Sequence, residues 1–166
     1  MQFEGKLIKM KIILLSVGKV NDAAYNKLMN AYAKKLAHYI PFEIEIVPDI
    51  KHTKNLSEKE QKTLEGKQIL KTLQPNDYVI LLDAKGREFT SPEFAHFIEK
   101  KGLMGLKRLI FVVGGPYGFS EDMYNRADEK VSLSKMTFTH EMVRLVFMEQ
   151  LYRAMTILNN EPYHHE

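Results

Sequence analysis

A glycine-rich segment, Gly114-Gly115-Pro116-Tyr117-Gly118, is the first stretch of the chain whose residue types favour ligand binding. It directly follows an apolar run at residues 109–113 that predicts a buried strand. Glycines let a ligand approach the backbone closely, and α/β sheets bind ligands at the carboxyl ends of their strands. The spacing matches neither the dinucleotide pattern G-x-G-x-x-G nor the phosphate loop G-x-x-x-x-G-K-S/T. Two interpretations stay open: a ligand site of another kind, or a tight structural turn.

Residues 132–140 are rich in hydroxyl groups. Ser132, Ser134, Thr137 and Thr139 lie between a short strand predicted at residues 131–133 and a long predicted helix. Hydroxyl and backbone groups of this kind can hold an adenosine, but Thr139 is equally suited to be the N-cap of the helix. The segment alone does not decide between these roles.

Ionisable residues interrupt an otherwise apolar helix predicted at residues 140–158. Glu149 and Arg153 are four residues apart and share one face, as do His140 and Arg144. An ionisable group in apolar surroundings costs free energy unless it is paired or takes part in chemistry. Both pairs are therefore candidates for catalysis, with a buried Glu149–Arg153 salt bridge as the structural alternative. Because a helix that is apolar on nearly all faces has to be buried all round, we expect a homodimer; a central core helix is the alternative.

The chain ends in Pro162-Tyr163-His164-His165-Glu166. Pro162 prevents the helix from continuing, and disorder is the usual state of such a terminus. Two adjacent imidazoles rarely converge on one metal ion, and the chain has no cysteine to supply thiolate ligands or disulfides. We therefore expect no metal site.

The elements that must position these residues alternate between strands and helices. The predicted strands are residues 12–17, 42–47, 78–82, 109–113 and 131–133. The predicted helices are residues 25–39 behind a cap at Asn21 or Asp22, 57–73 with a Ser57–Glu60 capping box, 92–101 capped by Ser91, 120–127 and 140–158. This order predicts a single α/β domain with a mainly parallel sheet.

Length and composition favour one ordinary soluble domain. The 166 residues are 45% hydrophobic and 27% charged. No apolar run approaches the ~20 residues that span a bilayer, so we expect a cytoplasmic protein that binds no membrane. A net charge of +3 permits an RNA partner without indicating one. Residues 1–9 are interpreted as an N-terminal extension ahead of a possible alternative start at Met10, which leaves residues 10–166 as the domain.

A set of short motifs in a fixed order resembles one known family. The motifs are Leu81-Leu82-Asp83, Gly114-Gly115-Pro116-x-Gly118, Leu133-Ser134, His140-x-x-x-Arg144, Glu149-Gln150-Leu151-Tyr152-Arg153-Ala154 and Pro162-Tyr163-His164. Together they resemble the large-subunit ribosomal RNA pseudouridine N3-methyltransferases, the minimal members of the trefoil-knotted SPOUT methyltransferases, over essentially the whole chain from Met10. The resemblance implies a deep trefoil knot near the C-terminus, which periodicity would never reveal, and a homodimer.

The resemblance also implies a cofactor and a reaction. S-adenosylmethionine would be the methyl donor, and no metal would be needed. Its contacts would be Leu82, Gly114, Leu133, Ser134, Lys135, Met136, Thr137 and Phe138. The implied acceptor is N3 of a pseudouridine in a decoding-side stem-loop of 23S ribosomal RNA, within the assembled 70S ribosome.

Chemistry then suggests roles for the ionisable residues. N3 of a uracil ring carries a proton, so a base or water relay has to remove it while cations stabilise the charge that spreads onto O2 and O4. We expect Arg153 and Arg144 to supply the positive charge and Glu149 to orient Arg153 or act as the base. His140 and His164 are candidates for the proton relay.

The tail and several basic residues are candidates for RNA contacts. Tyr163 and His164 of one subunit would reach the target base or donor of the other. His165 stands where the family pattern has a permanently cationic Arg or Lys, which leaves its role in doubt. Basic side chains would meet phosphates, or would simply be solvated surface: Arg87, Lys85, Lys51, His52 and Lys54. The rival interpretations are a non-catalytic RNA-binding or ribosome-binding protein of the same fold and a small-molecule-binding regulator.

Overall fold

The computed structural model of the chain describes residues 1–3 and 6–166. The predicted extension at residues 1–9 includes Glu4 and Gly5, which lie outside the described residues. Its short strands β1 (Gln2–Phe3) and β2 (Lys6–Leu7) pair antiparallel.

Strands and helices then alternate along the remainder of the chain. They are β3 (Lys11–Val17), α1 (Ala23–Leu36), β4 (Phe42–Val47), a 3-10 turn (Thr53–Asn55), α2 (Glu58–Thr72), β5 (Tyr78–Glu88), α3 (Ser91–Leu103), β6 (Arg108–Val113), α4 (Glu121–Arg126), β7 (Glu129–Ser132) and α5 (His140–Leu158). The expected α/β class is confirmed, and α5 has the predicted bounds, with Thr139 as its N-cap.

Five strands form one parallel sheet in the order β4-β3-β6-β5-β7. Parallel pairing places the carboxyl ends of β3, β5 and β6 at the same edge, so the segments that follow these strands meet there. The predicted parallel sheet is confirmed. The glycine-rich segment follows β6, and Asp83 lies in β5 just beyond the residues that pair with β6.

Helices cover both faces of the sheet. One face packs against α1, α3 and α5, and its core includes Leu14, Phe111, Phe147 and Leu151. The other face packs against α2 and α4. Neighbouring residues of one strand point to opposite faces, so buried strands covered on both faces are continuous apolar runs. This is the pattern that made the strands recognisable in the sequence.

Helix α5 is buried on one side only within a single chain. Its sheet-facing residues are buried, among them Phe147, Leu151 and Met155. Val146 and Ile157, by contrast, are only partly buried. A single chain therefore leaves part of the apolar surface of α5 incompletely covered.

Three predicted boundaries are wrong for identifiable reasons. Helix α3 is capped by Thr90 and not by Ser91, because Thr90 and Glu93 form a reciprocal capping box with N–H to oxygen distances of 3.3 and 2.7 Å. Helix α1 ends at Leu36 and not at residue 39, where a turn follows. Strand β5 runs on from Leu82 to Glu88, although this half is polar, because it pairs with β7 at the sheet edge.

Candidate active site

A cavity of about 550 Å³ lies beside the carboxyl ends of β5 and β6. Its walls come from the end of the apolar part of β5, the glycine-rich segment, the hydroxyl-rich segment and the start of α5. The lining residues are Leu82, Asp83, Ala84, Val113, Gly114, Gly115, Pro116, Gly118, Phe119, Tyr124, Leu133, Ser134, Met136, Thr137, Phe138, Thr139, His140 and Val143. The volume lies within the range of about 300–1,000 Å³ that small-molecule sites occupy.

The structure brings most of the predicted donor contacts together at this cavity. Of the eight residues, Lys135 alone is not part of the lining. Its ammonium lies 3.9 Å from the Glu88 carboxylate and is exposed. Residues as far apart in sequence as Leu82 and Phe138 thus line one concave surface, although each segment was ambiguous by itself.

The glycine-rich segment is a tight turn as well as a cavity wall. The Gly118 N–H donates to the Gly115 carbonyl at 3.2 Å, and Gly118 has a φ of +82°, a left-handed conformation that favours glycine. A Cβ on Gly115 would overlap with the Glu65 carboxylate of α2. The turn therefore needs glycine for its own geometry and for the group packed behind it.

Glu65 is a buried carboxyl that sequence reasoning missed. It is 4% exposed, its Oε1 accepts a hydrogen bond from the Gln61 amide at 3.0 Å, and its Oε2 has no hydrogen-bond partner among the described residues. Burial raises the pKa of this carboxyl above its ordinary value. In the sequence, Glu65 is distinguished only by its position on the predicted helix, directly before Gly66 and four residues before Ile69. The structure buries all three residues.

The hydroxyl-rich segment both builds the turn before α5 and lines the cavity. The Ser134 hydroxyl accepts a hydrogen bond from the Met136 N–H at 2.9 Å, and Thr139 caps α5 by accepting from the Met142 N–H at 3.1 Å. Met136 is 78% exposed and Phe138 is also exposed at the same cavity. Large apolar side chains left open beside a cavity are available to cover a ligand.

Asp83 and Tyr124 form a hydrogen-bonded pair in the cavity wall. The Tyr124 hydroxyl donates to Asp83 Oδ2, and the Lys85 N–H donates to Asp83 Oδ1 at 2.8 Å. Burial, followed by the hydrogen bond to Asp83, raises the pKa of Tyr124 to about 12, so the hydroxyl stays protonated at neutral pH. Asp83 belongs to one of the sequence motifs, which predicted no role for it, and Tyr124 belongs to none of them.

A second polar cluster lies farther along α5, where the C-terminal tail folds back. Arg153 Nη2 donates to Glu149 Oε1 at 2.7 Å, and the Tyr163 hydroxyl donates to the same oxygen at 3.1 Å. The guanidinium also lies 4.8 Å from the centroid of the Tyr163 ring. The hydrogen bond that Arg153 donates to Glu149 raises the pKa of Arg153, and burial together with the Glu149 charge raises the pKa of Tyr163 to about 12.

His164 completes this cluster. Its Nδ1 lies 3.3 Å from Arg153 Nη1. A guanidinium nitrogen can only donate, so this contact requires the neutral imidazole with its proton on Nε2. That Nε2 is buried and has no hydrogen-bond partner among the described residues. A buried donor without a hydrogen-bond partner costs free energy.

The cavity and the polar cluster are separate within one chain. Val143 lines the cavity, and Arg153 lies ten residues farther along α5. At about 1.5 Å of rise per residue, the two are roughly 15 Å apart along the helix axis. One chain therefore does not bring the predicted donor contacts next to Arg153, Glu149 and His164.

The structure places Arg144 at neither location. Its side chain is 0% exposed, and its two terminal nitrogens donate to the carbonyls of Val17 at 2.7 Å and Gly18 at 2.8 Å. Burial lowers the pKa of its guanidinium. Both terminal nitrogens are thus engaged in joining α5 to the carboxyl end of β3, and the charge-stabilising role of Arg144 stays a prediction.

The remaining predicted residues lie on the surface. His140 is exposed and lines the cavity. Arg87 is exposed beside the Phe89 ring, 4.6 Å from its centroid, and His165 is exposed in the tail. Lys85 and the basic residues Lys51, His52 and Lys54 are also exposed.

The described part of the chain holds neither a cluster of metal-ligating side chains nor a membrane-spanning helix. Residues 1–3 and 6–166 contain no group of three or more His, Cys, Asp or Glu side chains arranged to hold a metal ion. Within the same residues, no helix has the length and apolar character needed to cross a membrane.

Comparison with known proteins adds an independent line of evidence. Residues 10–164 match the family described as predicted SPOUT methyltransferase. The chain is 62% identical over 157 residues to a protein of Parabacteroides distasonis, covering 95% of this chain and 100% of that protein. It is 58% identical over 156 residues to a protein of Christiangramia forsetii, covering 94% and 99% of the two chains. It is 55% identical over 157 residues to a protein of Phocaeicola vulgatus, covering 95% and 100%. Each of these relatives is named ribosomal RNA large subunit methyltransferase H.

Proposed function

The chain belongs to the family of predicted SPOUT methyltransferases, and we propose that it transfers a methyl group from S-adenosylmethionine to ribosomal RNA of the large subunit. The observation that carries the proposal is the 550 Å³ cavity, because it is built from the segments that the family resemblance links to the donor. The names of the relatives supply the class of RNA.

The residues of the cavity fit an S-adenosylmethionine molecule. Leu82, Leu133 and Phe138 offer apolar surface for an adenine, and the glycine-rich segment offers open backbone. Ser134 and Thr137 offer hydroxyls, and Asp83 offers a negative charge to a positively charged ligand. When bound, the donor supplies a methyl group already activated by a sulfonium, so no metal is proposed for the reaction.

We propose N3 of a pseudouridine in 23S ribosomal RNA, within the assembled 70S ribosome, as the acceptor. This finer assignment rests on the family resemblance of the motifs. The chain has to align N3 with the methyl group, remove the N3 proton and stabilise the charge on the ring. Arg153 is suited to the last task, Glu149 to orienting Arg153 or accepting the proton, and the Nε2 proton of His164 to a relay.

A homodimer follows from the separation of the two parts of the site. Because roughly 15 Å along α5 separates the cavity from Arg153, we propose that a second copy places its own Arg153, Tyr163 and His164 beside the cavity. The partly exposed apolar surface of α5 would be the contact. The unpartnered Nε2 of His164 is explained in the same way.

The remaining expectations belong to the same proposal. The C-terminal third would form the trefoil knot of the family, and the catalytic domain would be residues 10–166, with residues 1–9 as an extension. His165 and Arg87, together with the exposed residues Lys51, Lys54 and Lys85, would contact RNA phosphates. The protein would act in the cytoplasm, where its ribosomal substrate is found.

Donor-dependent labelling of ribosomal particles tests the function. Particles from cells that lack the modification would be incubated with the protein and methyl-labelled S-adenosylmethionine. We expect label in the large-subunit RNA of 70S ribosomes and much less in isolated 50S or 30S subunits. Absence of label in every particle would refute the enzymatic function, and label confined to 30S particles would refute the proposed substrate.

A further inference from the structure

We propose that the Asp83 carboxylate, held in place by Tyr124, is the counter-charge that makes the cavity prefer the cationic methyl donor to its neutral product. The inference rests on the proposed function, since it concerns the donor of that reaction. It assigns a specificity-determining role to Asp83 and a positioning role to Tyr124, both outside the set of donor contacts that the family resemblance predicts.

The geometry leaves the carboxylate available to a ligand. Asp83 and Tyr124 both line the cavity, on β5 and α4 respectively. The Tyr124 hydroxyl occupies one acceptor position of Oδ2, and the Lys85 N–H occupies one of Oδ1 at 2.8 Å. A carboxylate has about four acceptor positions, so each oxygen keeps one for a further partner. The two hydrogen bonds fix the orientation of the group before any ligand arrives.

Asp83 is also the one carboxylate among the described residues that line the cavity. These lining residues include no lysine or arginine, and His140 is their only imidazole. The Lys130 ammonium lies 5.6 Å from the centroid of the Tyr124 ring but is not part of the lining. When the imidazole of His140 is neutral, the lining residues of the cavity therefore carry one negative charge in total.

The methyl donor and its product differ in charge at the sulfur atom. S-adenosylmethionine carries a sulfonium, an ammonium and a carboxylate, whereas S-adenosylhomocysteine has a neutral thioether in place of the sulfonium. The two share their adenine, ribose and amino-acid groups. Opposite charges attract more strongly in a partly buried site than in water, so Asp83 favours binding of the donor and, once the sulfonium charge is gone, favours release of the product.

Titration calorimetry of four forms of the full chain tests the inference: wild type, Asp83→Asn, Tyr124→Phe and Asp122→Asn. Each is titrated with S-adenosylmethionine and with S-adenosylhomocysteine. Asp83→Asn keeps the size of the side chain and removes its charge. Asp122→Asn makes the same chemical change at an exposed position in the first turn of α4, outside the lining. Tyr124→Phe removes the hydrogen bond and leaves the carboxylate charged.

We expect Asp83→Asn to weaken donor binding about ten-fold and product binding less than about three-fold. Tyr124→Phe leaves the charge in place but removes the hydrogen bond that orients it, so it should lower the ratio of donor to product affinity less than Asp83→Asn does. Asp122→Asn should keep the wild-type ratio within about two-fold. Equal losses for both ligands in Asp83→Asn would show that the carboxylate serves a group they share, such as the ribose hydroxyls, and would overturn the inference. So would unchanged affinities. Wild-type protein that binds neither ligand would instead overturn the proposed function itself.

Discussion

Arg153 lies at the point where α5 and the C-terminal tail share their polar contacts. Its guanidinium is held by Glu149 on one side and by Tyr163 and His164 on the other. A side chain fixed in this way presents its charge without having to reorganise during the reaction. The same contacts would give an ordinary salt bridge if no substrate reached them, so the function of Arg153 has to be separated from its structural contribution.

Replacement of Arg153 makes that separation. We expect Arg153→Ala to lower kcat for ribosome methylation by a factor of about 100 or more, while the Kd for S-adenosylmethionine changes much less, because the proposed role of Arg153 is to stabilise the charge that develops on the acceptor ring during the reaction. Arg153→Lys, which keeps the charge and loses the planar fork, should recover only part of the rate. Steady-state kinetics and calorimetry measure both quantities, and an Arg153→Ala protein of normal kcat would remove this residue from the mechanism.

Glu65 provides a residue-scale test through pH. Burial raises its pKa in the folded state, so between the ordinary value near 4.5 and that raised value the folded chain binds more protons than the unfolded chain. The free energy of unfolding of the wild type therefore decreases as pH rises through this window. Glu65→Gln does not titrate, and we expect its Tm advantage over the wild type to grow from acidic to neutral pH.

Glu60, on the same helix, is the matched control with the opposite sign. Its hydrogen bonds to Ser57 lower its pKa in the folded state, so its contribution is present above the ordinary pKa and is lost as pH falls through the folded value. Glu60→Gln should be less stable than the wild type at neutral pH and equal to it in acid. Thermal denaturation from about pH 2.5 to pH 8 follows both variants through the pH ranges in which the two carboxyls titrate; parallel curves for Glu65→Gln and wild type would contradict the assignment.

The sequence predicted candidate residues better than it predicted their partners. Leu82, Gly114, Ser134 and Thr137 were named from motifs and all line the cavity. Asp83 and Tyr124 were given no role, because their contact joins residues 41 positions apart and leaves no spacing pattern. Arg144 was placed in the catalytic group because its spacing from His140 is helical; its carbonyl partners in β3 are more than 120 positions away in the chain.

At the scale of elements, Arg144 joins the long C-terminal helix to the first strand of the parallel sheet. Removing it would leave the carbonyls of Val17 and Gly18 without their partners and open a cavity among buried side chains. We expect Arg144→Ala to lower the free energy of unfolding by roughly 3 kcal/mol or more. Urea denaturation measures this loss, and Arg153→Ala, which affects a more exposed pair, should lose less.

A catalytic role for Arg144 predicts a different result. In that case Arg144→Ala would fold with nearly wild-type stability and lose methyl transfer. Stability within about 0.5 kcal/mol of the wild type would therefore contradict the structural role assigned to this residue.

Most elements were predictable because their signals are local. Apolar runs identified the strands, and the capping box of Ser57 and Glu60 identified the start of α2. The second half of β5 was missed because residues 83–88 are polar and pair only at the sheet edge. Gly86 in that half approaches β7 so closely that a Cβ would lie 2.6 Å from the Val131 nitrogen, a constraint visible only when both strands are in place.

For the molecule as a whole, we propose that two chains together form each active site. Two inactive variants test this directly: Gly114→Val, which places a side chain in the donor cavity, and a chain lacking residues 163–166. In co-expressed mixtures, half the dimers would be mixed, and each mixed dimer would hold one complete site when the tail acts on the partner. We expect about a quarter of wild-type activity in an equal mixture.

The control for this experiment is each variant alone, which should be inactive. A site contained within one chain predicts an equally inactive mixture, since every chain would lack one part. The recovery of activity thus distinguishes a shared site from a dimer in which each chain acts alone, and size-exclusion chromatography confirms that the variants still associate.

The methylated atom of the proposed reaction is identified by nucleoside mass spectrometry of 23S ribosomal RNA. Ribosomes from cells lacking the modification would be treated with the protein and S-adenosylmethionine, and their RNA digested to nucleosides alongside an Arg153→Ala control. We predict a single new nucleoside, N3-methylpseudouridine, in the wild-type reaction and none in the control. A methyl group on a ribose hydroxyl or on a different base, or no new nucleoside, would contradict the account.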